Sequence, residues 1–264
     1  MTPFAFHRPA SVASAVQLRS AQGDASYLAG GQSLLPAMKL GLAGPTDLID
    51  LSLLPGAQGI SLDGGSLRIG AMTSHAAVAT SAEVGKQVPA LACLAAGIGD
   101  PAVRTRGTLG GSLANNDPAA CWPAAVLGLG ATVHTDRRQI AADDFFLGLY
   151  ETALQSGELI TAVSFPRPER AAYLKFKQPA SRFALVGVFV SAGPQGVRVA
   201  VTGAGPCVFR ASALEAALAK SFSAAALHGV KLAADDLNSD LHGSAAYRAH
   251  LIGVLARRAV AQAV

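Results

Sequence analysis

The chain has 264 residues, of which 51% are hydrophobic and 14% are charged, and its formal net charge is +4. This much apolar side chain excludes an intrinsically disordered protein and allows a sizeable core in one large or two modest domains. Because the basic residues are scattered and aromatic residues make up only 6% of the chain, the composition also argues against nucleic-acid binding.

The first two thirds of the chain alternate short strands and helices. Apolar residues at helical spacing follow Ser11, whose hydroxyl is suited to cap a helix. In chain order, the patterns then predict strands at residues 27–29, 46–51 and 66–71, helices at 74–79, 89–97 and 122–129, and strands at 131–135 and 159–165. Residues 100–118, rich in Gly, Asn, Asp and Pro, are predicted to form a long loop.

The last third has a different pattern. Three strands at 173–178, 183–192 and 196–202 are joined by turns, which is typical of an antiparallel meander, and helical segments follow at 211–220, 224–232 and 247–263. The segment Pro166-Arg167-Pro168 separates the two patterns, so we place a domain boundary between residues 167 and 168. The order of elements predicts an α+β protein.

Several features bear on the compartment and on metal binding. No stretch of about 18 residues is free of polar, Gly or Pro interruption, and the N-terminal segment lacks a long apolar run, so we expect neither a membrane span nor a secretory signal. The three cysteines, Cys93, Cys121 and Cys207, lie far apart, and the histidines form no pair at metal-ligand spacing. We therefore expect free thiols in a cytoplasmic protein, with no metal or iron–sulfur site in this chain.

Two glycine-rich segments, residues 29–36 and 108–114, each combine paired glycines with a nearby serine. Glycine leaves no Cβ in the way, so successive backbone N–H groups can converge on an anion, and the hydroxyls of Ser33, Thr108 and Ser112 can add donors. Two such loops facing one another would hold a pyrophosphate. A single Gly-Gly-x-Ser is more often a tight turn, and neither segment has the spacing of a Rossmann or P-loop motif.

Beyond these residue-level arguments, three segments resemble a known family. Residues 27–39 (YLAGGQSLLPAMK) resemble the first FAD loop of the flavoprotein subunits of molybdenum hydroxylases, the group of xanthine and carbon monoxide dehydrogenases. Residues 104–120 (RTRGTLGGSLANNDPAA) are similar to their second FAD loop, and residues 160–165 with 173–181 are similar to the junction with their C-terminal domain.

The resemblance implies a fold and a domain plan. It implies an α+β chain with a two-lobed FAD-binding domain of the p-cresol-methylhydroxylase type at residues 1–167, its lobes at roughly 1–56 and 57–167. A C-terminal domain like that of carbon monoxide dehydrogenase flavoproteins would follow at residues 168–264, with a three-stranded antiparallel sheet and helices.

It also implies which residues bind FAD, while no residue of this chain is expected to be catalytic or to bind a metal. Ile98 would contact adenine, Asn116 and Asp117 would line the cleft, and Leu159 and Lys177 would approach the flavin ring. A lysine at that ring would favour its anionic reduced form. The full implied set is Ala29, Gly30, Gly31, Gln32, Ser33, Leu34, Ile98, Thr108, Gly110, Gly111, Ser112, Asn116, Asp117, Leu159 and Lys177.

At one position the sequence departs from the resemblance. Many family members have an acidic residue after the Asp-Pro-Ala-Ala stretch, whereas this chain has Cys121. A carboxylate there can bind cofactor hydroxyls, and a thiol does so only weakly. The departure predicts a lower affinity for FAD unless Asp117 or a water substitutes.

The resemblance finally implies partners. A large molybdopterin subunit would hydroxylate the substrate, and a small subunit with [2Fe–2S] clusters would pass electrons to FAD, which hands them to NAD, a quinone or oxygen. The complex would be a heterotrimer or its dimer. Two alternatives stay open: a stand-alone FAD oxidoreductase with its own substrate, and a scaffold subunit that has lost FAD.

Overall fold

A computed structural model describes residues 2–264 of the chain. The first lobe consists of β1 (Ala5–His7), α1 (Val12–Ala21), β2 (Ala25–Leu28), α2 (Leu34–Lys39) and β3 (Asp47–Asp50). Its strands form a parallel sheet in the order β1-β3-β2. Ser11 caps α1 as predicted: its hydroxyl accepts from the Ser14 N–H, and the Ser14 hydroxyl accepts from the Ser11 N–H.

The second lobe is built on a five-stranded antiparallel sheet. Its elements are β4 (Ile60–Asp63), β5 (Ser66–Gly70), α3 (His75–Thr80), α4 (Ala82–Gln87), α5 (Pro89–Ala96), α6 (Pro101–Arg106), α7 (Leu109–Asn115), α8 (Trp122–Leu129), β6 (Thr132–Thr135), β7 (Gln139–Ala141), α9 (Ala142–Phe145), β8 (Phe146–Gly148), β9 (Glu151–Thr152) and β10 (Ile160–Phe165). The sheet order is β4-β5-β10-β6-β7, and β8 and β9 form a separate hairpin.

The C-terminal part contains β11 (Arg170–Lys177), β12 (Ala184–Gly193), β13 (Gly196–Thr202), β14 (Phe209–Arg210), α10 (Ser212–Lys220), a 3₁₀ turn (Ala224–Leu227) and α11 (Ala245–Gln262). The α+β fold with an antiparallel C-terminal sheet is confirmed. The sheet has a fourth, two-residue strand that the sequence did not predict, and the weak helix predicted at 224–232 is only the 3₁₀ turn.

Helix α8 and the C-terminal sheet share a core. Every residue of α8 is buried, and the first eight residues of β12 are buried as well. Phe189 and Ala200 of the sheet belong to the same hydrophobic cluster as α8, whereas Val188 and Val201 belong to the cluster that includes α11. The sheet is therefore covered on both faces, by α8 on one and by α11 on the other.

The segment 100–118 is not the long loop that its composition predicts. The Asp100 side chain accepts from the Val103 N–H and starts α6, with Pro101 in the first turn. The Thr108 side chain caps α7, which ends where Asn116 adopts a left-handed conformation with φ 41°. Two short capped helices thus replace the loop.

No helix among residues 2–264 combines the length and the hydropathy that crossing a bilayer requires.

Candidate cofactor site

A cavity of about 670 Å³ lies between the two lobes, and residues of the C-terminal part complete its wall. This volume is in the range of sites for small organic ligands. Thirteen of the fifteen residues that the sequence implicates line it: Ala29, Gly30, Gly31, Gln32, Ser33, Leu34, Ile98, Thr108, Gly110, Gly111, Ser112, Asp117 and Leu159.

The first glycine loop offers a row of free backbone donors. The N–H groups of residues 30–34 donate to no other described residue, whereas the Leu35 N–H is bonded to the Gly31 carbonyl. Gly31 has φ +72°, a left-handed conformation that glycine adopts without strain. Consecutive unpaired N–H groups around such a residue form a concave anion-binding surface.

The second glycine loop uses its donors internally, which differs from the expectation. The Leu109 N–H donates to the Thr73 carbonyl (3.1 Å), the Gly110 N–H to the Ala71 carbonyl (2.8 Å), and the Gly111 N–H to the Thr108 hydroxyl (3.2 Å). The first two of these bonds fasten the loop to the chain after β5. The second loop therefore has few free amides, although its Ser112 side chain lines the cavity, whereas the amides of the first loop are unpaired.

The two loops touch, and glycine makes the contact possible. A Cβ on Gly30 would overlap the carbonyl oxygen of Arg106 and lie 2.7 Å from the Cα of Gly107. A Cβ on Gly111 would lie 3.3 Å from the Cβ of Ala29. A bare main chain at these positions brings the two loops together on one side of the cavity.

Two implicated residues lie outside the cavity lining. The Asn116 side chain is buried, and its amide nitrogen donates to the carbonyls of Gly148 (2.9 Å) and Glu151 (2.8 Å), so it holds the β8–β9 hairpin. Lys177 is exposed at the end of β11, and Lys175 of the same strand lines the cavity instead. The role of Lys177 at the flavin ring stays a prediction, and Lys175 is the lysine of β11 that reaches the cavity.

Charged groups of both signs line the cavity. Burial raises the pKa of Asp117 above its ordinary value, and the hydrogen bond from the Ala119 N–H offsets this only in part. The hydrogen bonds that Glu158 accepts, above all from Arg138, lower its pKa to about 2. The cations in the lining are Arg19, Lys175 and Arg182. Positive and negative side chains in one cavity suit a ligand that carries both an anionic group and hydrogen-bonding groups.

His75 is a cavity residue that the sequence did not single out, although it follows Ser74 at the start of α3. Its Nδ1 lies 3.0 Å from the indole nitrogen of Trp122. An indole N–H can only donate, so Nδ1 is the acceptor and the proton of the neutral ring sits on Nε2. Burial, aided by the charge of Arg104, lowers the pKa of His75 to about 4.

This pKa predicts a pH-dependent stability. Below pH 6.5 His75 is protonated in the unfolded chain, while the folded chain keeps it neutral down to about pH 4. Between these two pKa values the unfolded state binds more protons than the folded state. The free energy of unfolding should therefore fall by about 3 kcal/mol as the pH is lowered from 6.5 to about 4, and it should level off at lower pH. His75→Asn keeps an acceptor for Trp122 and should lose less stability between pH 7 and 4 in urea titrations. Equal losses in both proteins would show that His75 is not the group responsible.

Comparisons with known proteins agree with this geometry. The family described as the FAD binding domain in molybdopterin dehydrogenase matches residues 2–168, and the CO dehydrogenase flavoprotein C-terminal domain matches residues 171–263. The nicotine 6-hydroxylase medium subunit of Paenarthrobacter nicotinovorans is 38% identical, over 97% of this chain and 95% of that protein. The carbon monoxide dehydrogenase medium chain of Hydrogenophaga pseudoflava is 35% identical, over 97% and 96%.

A solved structure of reconstituted CO dehydrogenase from Oligotropha carboxidovorans superimposes with a TM-score of 0.90 at 34% identity, covering 99% of this chain and 98% of that chain. Family models, relatives and structure all span nearly the whole length. The chain belongs to the FAD-binding medium subunits of the molybdenum hydroxylase family, and it is an oxidoreductase subunit.

Proposed function

We propose that this subunit relays electrons from [2Fe–2S] clusters of a small partner subunit, through FAD, to an external acceptor. The observation that carries the proposal is the cavity itself, in which a row of unpaired amides faces a space shared by three parts of the chain. The names of the relatives, which include a nicotine hydroxylase and carbon monoxide dehydrogenases, support an electron-relay role within a larger enzyme.

The binding of FAD by this chain follows from the two loops. The N–H groups of residues 30–34 would hold the pyrophosphate, with the hydroxyls of Ser33 and Ser112 as further donors. Ile98, half-buried in the wall, would contact the adenine ring. Buried Leu159 and half-buried Lys175 would flank the flavin. The remaining implicated residues in the cavity wall would complete the lining.

The chemistry at this site requires positioning and exclusion of water. FAD, when bound, supplies one- and two-electron transfer. Apolar groups such as Leu159 and Ile160, both 6% exposed, line the cavity and would pack against the ring. The Lys175 ammonium places a positive charge in the wall, which favours added negative charge on a bound ligand. His75 keeps a neutral ring whose Nε2 carries the proton.

We further propose the larger assembly. A large subunit would carry molybdopterin and the substrate site, a small subunit the [2Fe–2S] clusters, and the three chains would form a heterotrimer or its dimer in the cytoplasm. The three free thiols agree with a reducing compartment. Within this chain, the FAD-binding domain would end at residue 167, which is supported by the family matches to residues 2–168 and 171–263.

Removal of FAD from the purified complex tests the relay. After the clusters are reduced with a limiting amount of dithionite, their reoxidation by NAD, a quinone or oxygen should fall to background without FAD and recover when FAD is added. Cluster absorbance in a stopped-flow instrument reports the rate, and an unchanged iron content serves as the control. Equal reoxidation without FAD would refute the relay. Oxidation of a small organic substrate by the isolated chain with FAD would instead support the stand-alone oxidoreductase.

A further inference from the structure

Cys121 stands in the cavity wall next to a positive charge. Its side chain is 5% exposed, and the Lys175 ammonium donates to its sulfur at 3.2 Å. Among residues 2–264, Lys175 forms no ion pair with a carboxylate. The sulfur is therefore the only protein acceptor that this ammonium has within the described chain.

A second, independent feature points into the same place. Tyr173 lies two residues before Lys175 on β11, and its side chain is only 9% exposed. Its hydroxyl lies beside the Cys121 sulfur, and no oxygen or nitrogen of the described residues accepts its proton. Burial, together with the neighbouring Cys121, raises the pKa of Tyr173 well above 10. A buried O–H is costly unless it finds a good acceptor, and sulfur is only a weak one, so an oxygen at this position would stabilise the hydroxyl.

We propose that Cys121 is a modification site at which hydrogen peroxide converts the thiol to a sulfenic acid. The sulfur, as thiolate, attacks one peroxide oxygen; the S–O bond forms and the O–O bond breaks. Hydroxide leaves and takes up a proton to become water, so that sulfur loses two electrons and peroxide gains them. Lys175 stabilises the negative sulfur before the attack.

The product provides such an oxygen. A sulfenic oxygen on Cys121 lies between two donors, the Lys175 ammonium and the Tyr173 hydroxyl, and both can bond to it. The other thiols lack this arrangement. Cys93 is exposed on α5, and the Cys207 sulfur lies 3.6 Å from the neutral amide nitrogen of Asn116. The oxygen also protrudes into the cavity, so modification should weaken FAD binding; this last step rests on the FAD position proposed above.

The test uses the full chain without FAD, hydrogen peroxide as oxidant and dimedone as the trap for sulfenic acid, with peptide mass spectrometry at each cysteine. Cys121 should be labelled faster than Cys93. Lys175→Met should slow labelling of Cys121 by about tenfold or more and leave Cys93 unchanged, since the ammonium is what activates the sulfur. Tyr173→Phe keeps the packing and should shorten the lifetime of the sulfenic acid, seen as faster conversion to sulfinic acid.

Two outcomes are decisive against the site: no label on Cys121 when Cys93 is fully labelled, or equal rates at Cys121 in the wild type and Lys175→Met. Bound FAD should protect Cys121, and peroxide should reduce FAD rebinding in the wild type but not in Cys121→Ser. Rapid labelling that FAD does not block would leave the modification site standing and would count against the proposed FAD position alone.

Discussion

Replacing Gly30 with alanine is expected to abolish FAD retention. The added methyl group would overlap the Arg106 carbonyl oxygen and approach the Gly107 Cα to 2.7 Å, and a backbone atom cannot give way as a flexible side chain can. The two glycine loops would be forced apart, so residues 30–34 and Ser112 would no longer line one cavity as they do now. Flavin absorbance per chain and titration of FAD into the stripped protein measure the effect.

Gly23 provides the matched control for this substitution. It precedes β2 in the same lobe, a methyl group added there would meet no heavy atom within 4 Å, and its backbone does not require positive φ. Gly23→Ala should therefore bind FAD as the wild type does. Gly31→Ala should lie between the two, because alanine in a left-handed conformation costs about 1–2 kcal/mol. Normal FAD affinity in a folded Gly30→Ala protein would refute the assigned loop contact.

Replacing Arg248 with methionine is expected to lower the free energy of unfolding by about 3 kcal/mol, because two carbonyls would lose their charged donor at a cost of about 1–3 kcal/mol each. Arg248 is 3% exposed, and one guanidinium nitrogen donates to the carbonyls of Leu185 and Gly203, each at 2.8 Å. Another donates to Asp240 at 2.7 Å. Leu185 and Gly203 lie outside the stretch in which β12 and β13 pair, Gly187–Gly193 with Gly196–Thr202, so that pairing does not replace the lost donors.

Arg258 lies on the same helix but is exposed, so it controls for helix propensity and net charge. Arg258→Met should change the free energy of unfolding by no more than about 0.5 kcal/mol. Urea unfolding followed by far-ultraviolet circular dichroism measures both variants. Similar small changes in the two proteins would mean that α11 does not depend on Arg248 for its attachment.

The sequence predicted best where local signals decide the structure. Helix α8 was predicted at 122–129 and observed there, because Pro123 suits a first turn and Gly130 ends the helix in a left-handed conformation. Strand β13 lies between two turns and was placed correctly. In contrast, β1 is short and exists through pairing with the distant strand β3, which no local pattern reveals. Helix α2 was missed because it begins inside the glycine loop.

The candidate site shows the same limit. The glycines pointed to both loops, but only the tertiary bonds from Leu109 and Gly110 to the chain after β5 show that the second loop has few amides to offer. Lys175 and Lys177 are two residues apart on one strand, so regular alternation of side chains would place both on the same face. Their difference in burial depends on what packs against each end of β11, so the sequence could not choose between them.

The covering of the C-terminal sheet by α8 limits how this subunit can be recombined. The Ser191 hydroxyl donates to the Gly128 carbonyl at 2.6 Å, the Arg198 guanidinium donates to the Leu127 carbonyl at 2.9 Å, and Gly128 leaves room for the Phe189 ring. A chimera cut between residues 168 and 171 would separate these partners. A chimera that exchanges the C-terminal part between homologues therefore has to exchange α8 as well. For the same reason, substitutions in α8 during evolution limit which substitutions the C-terminal sheet tolerates.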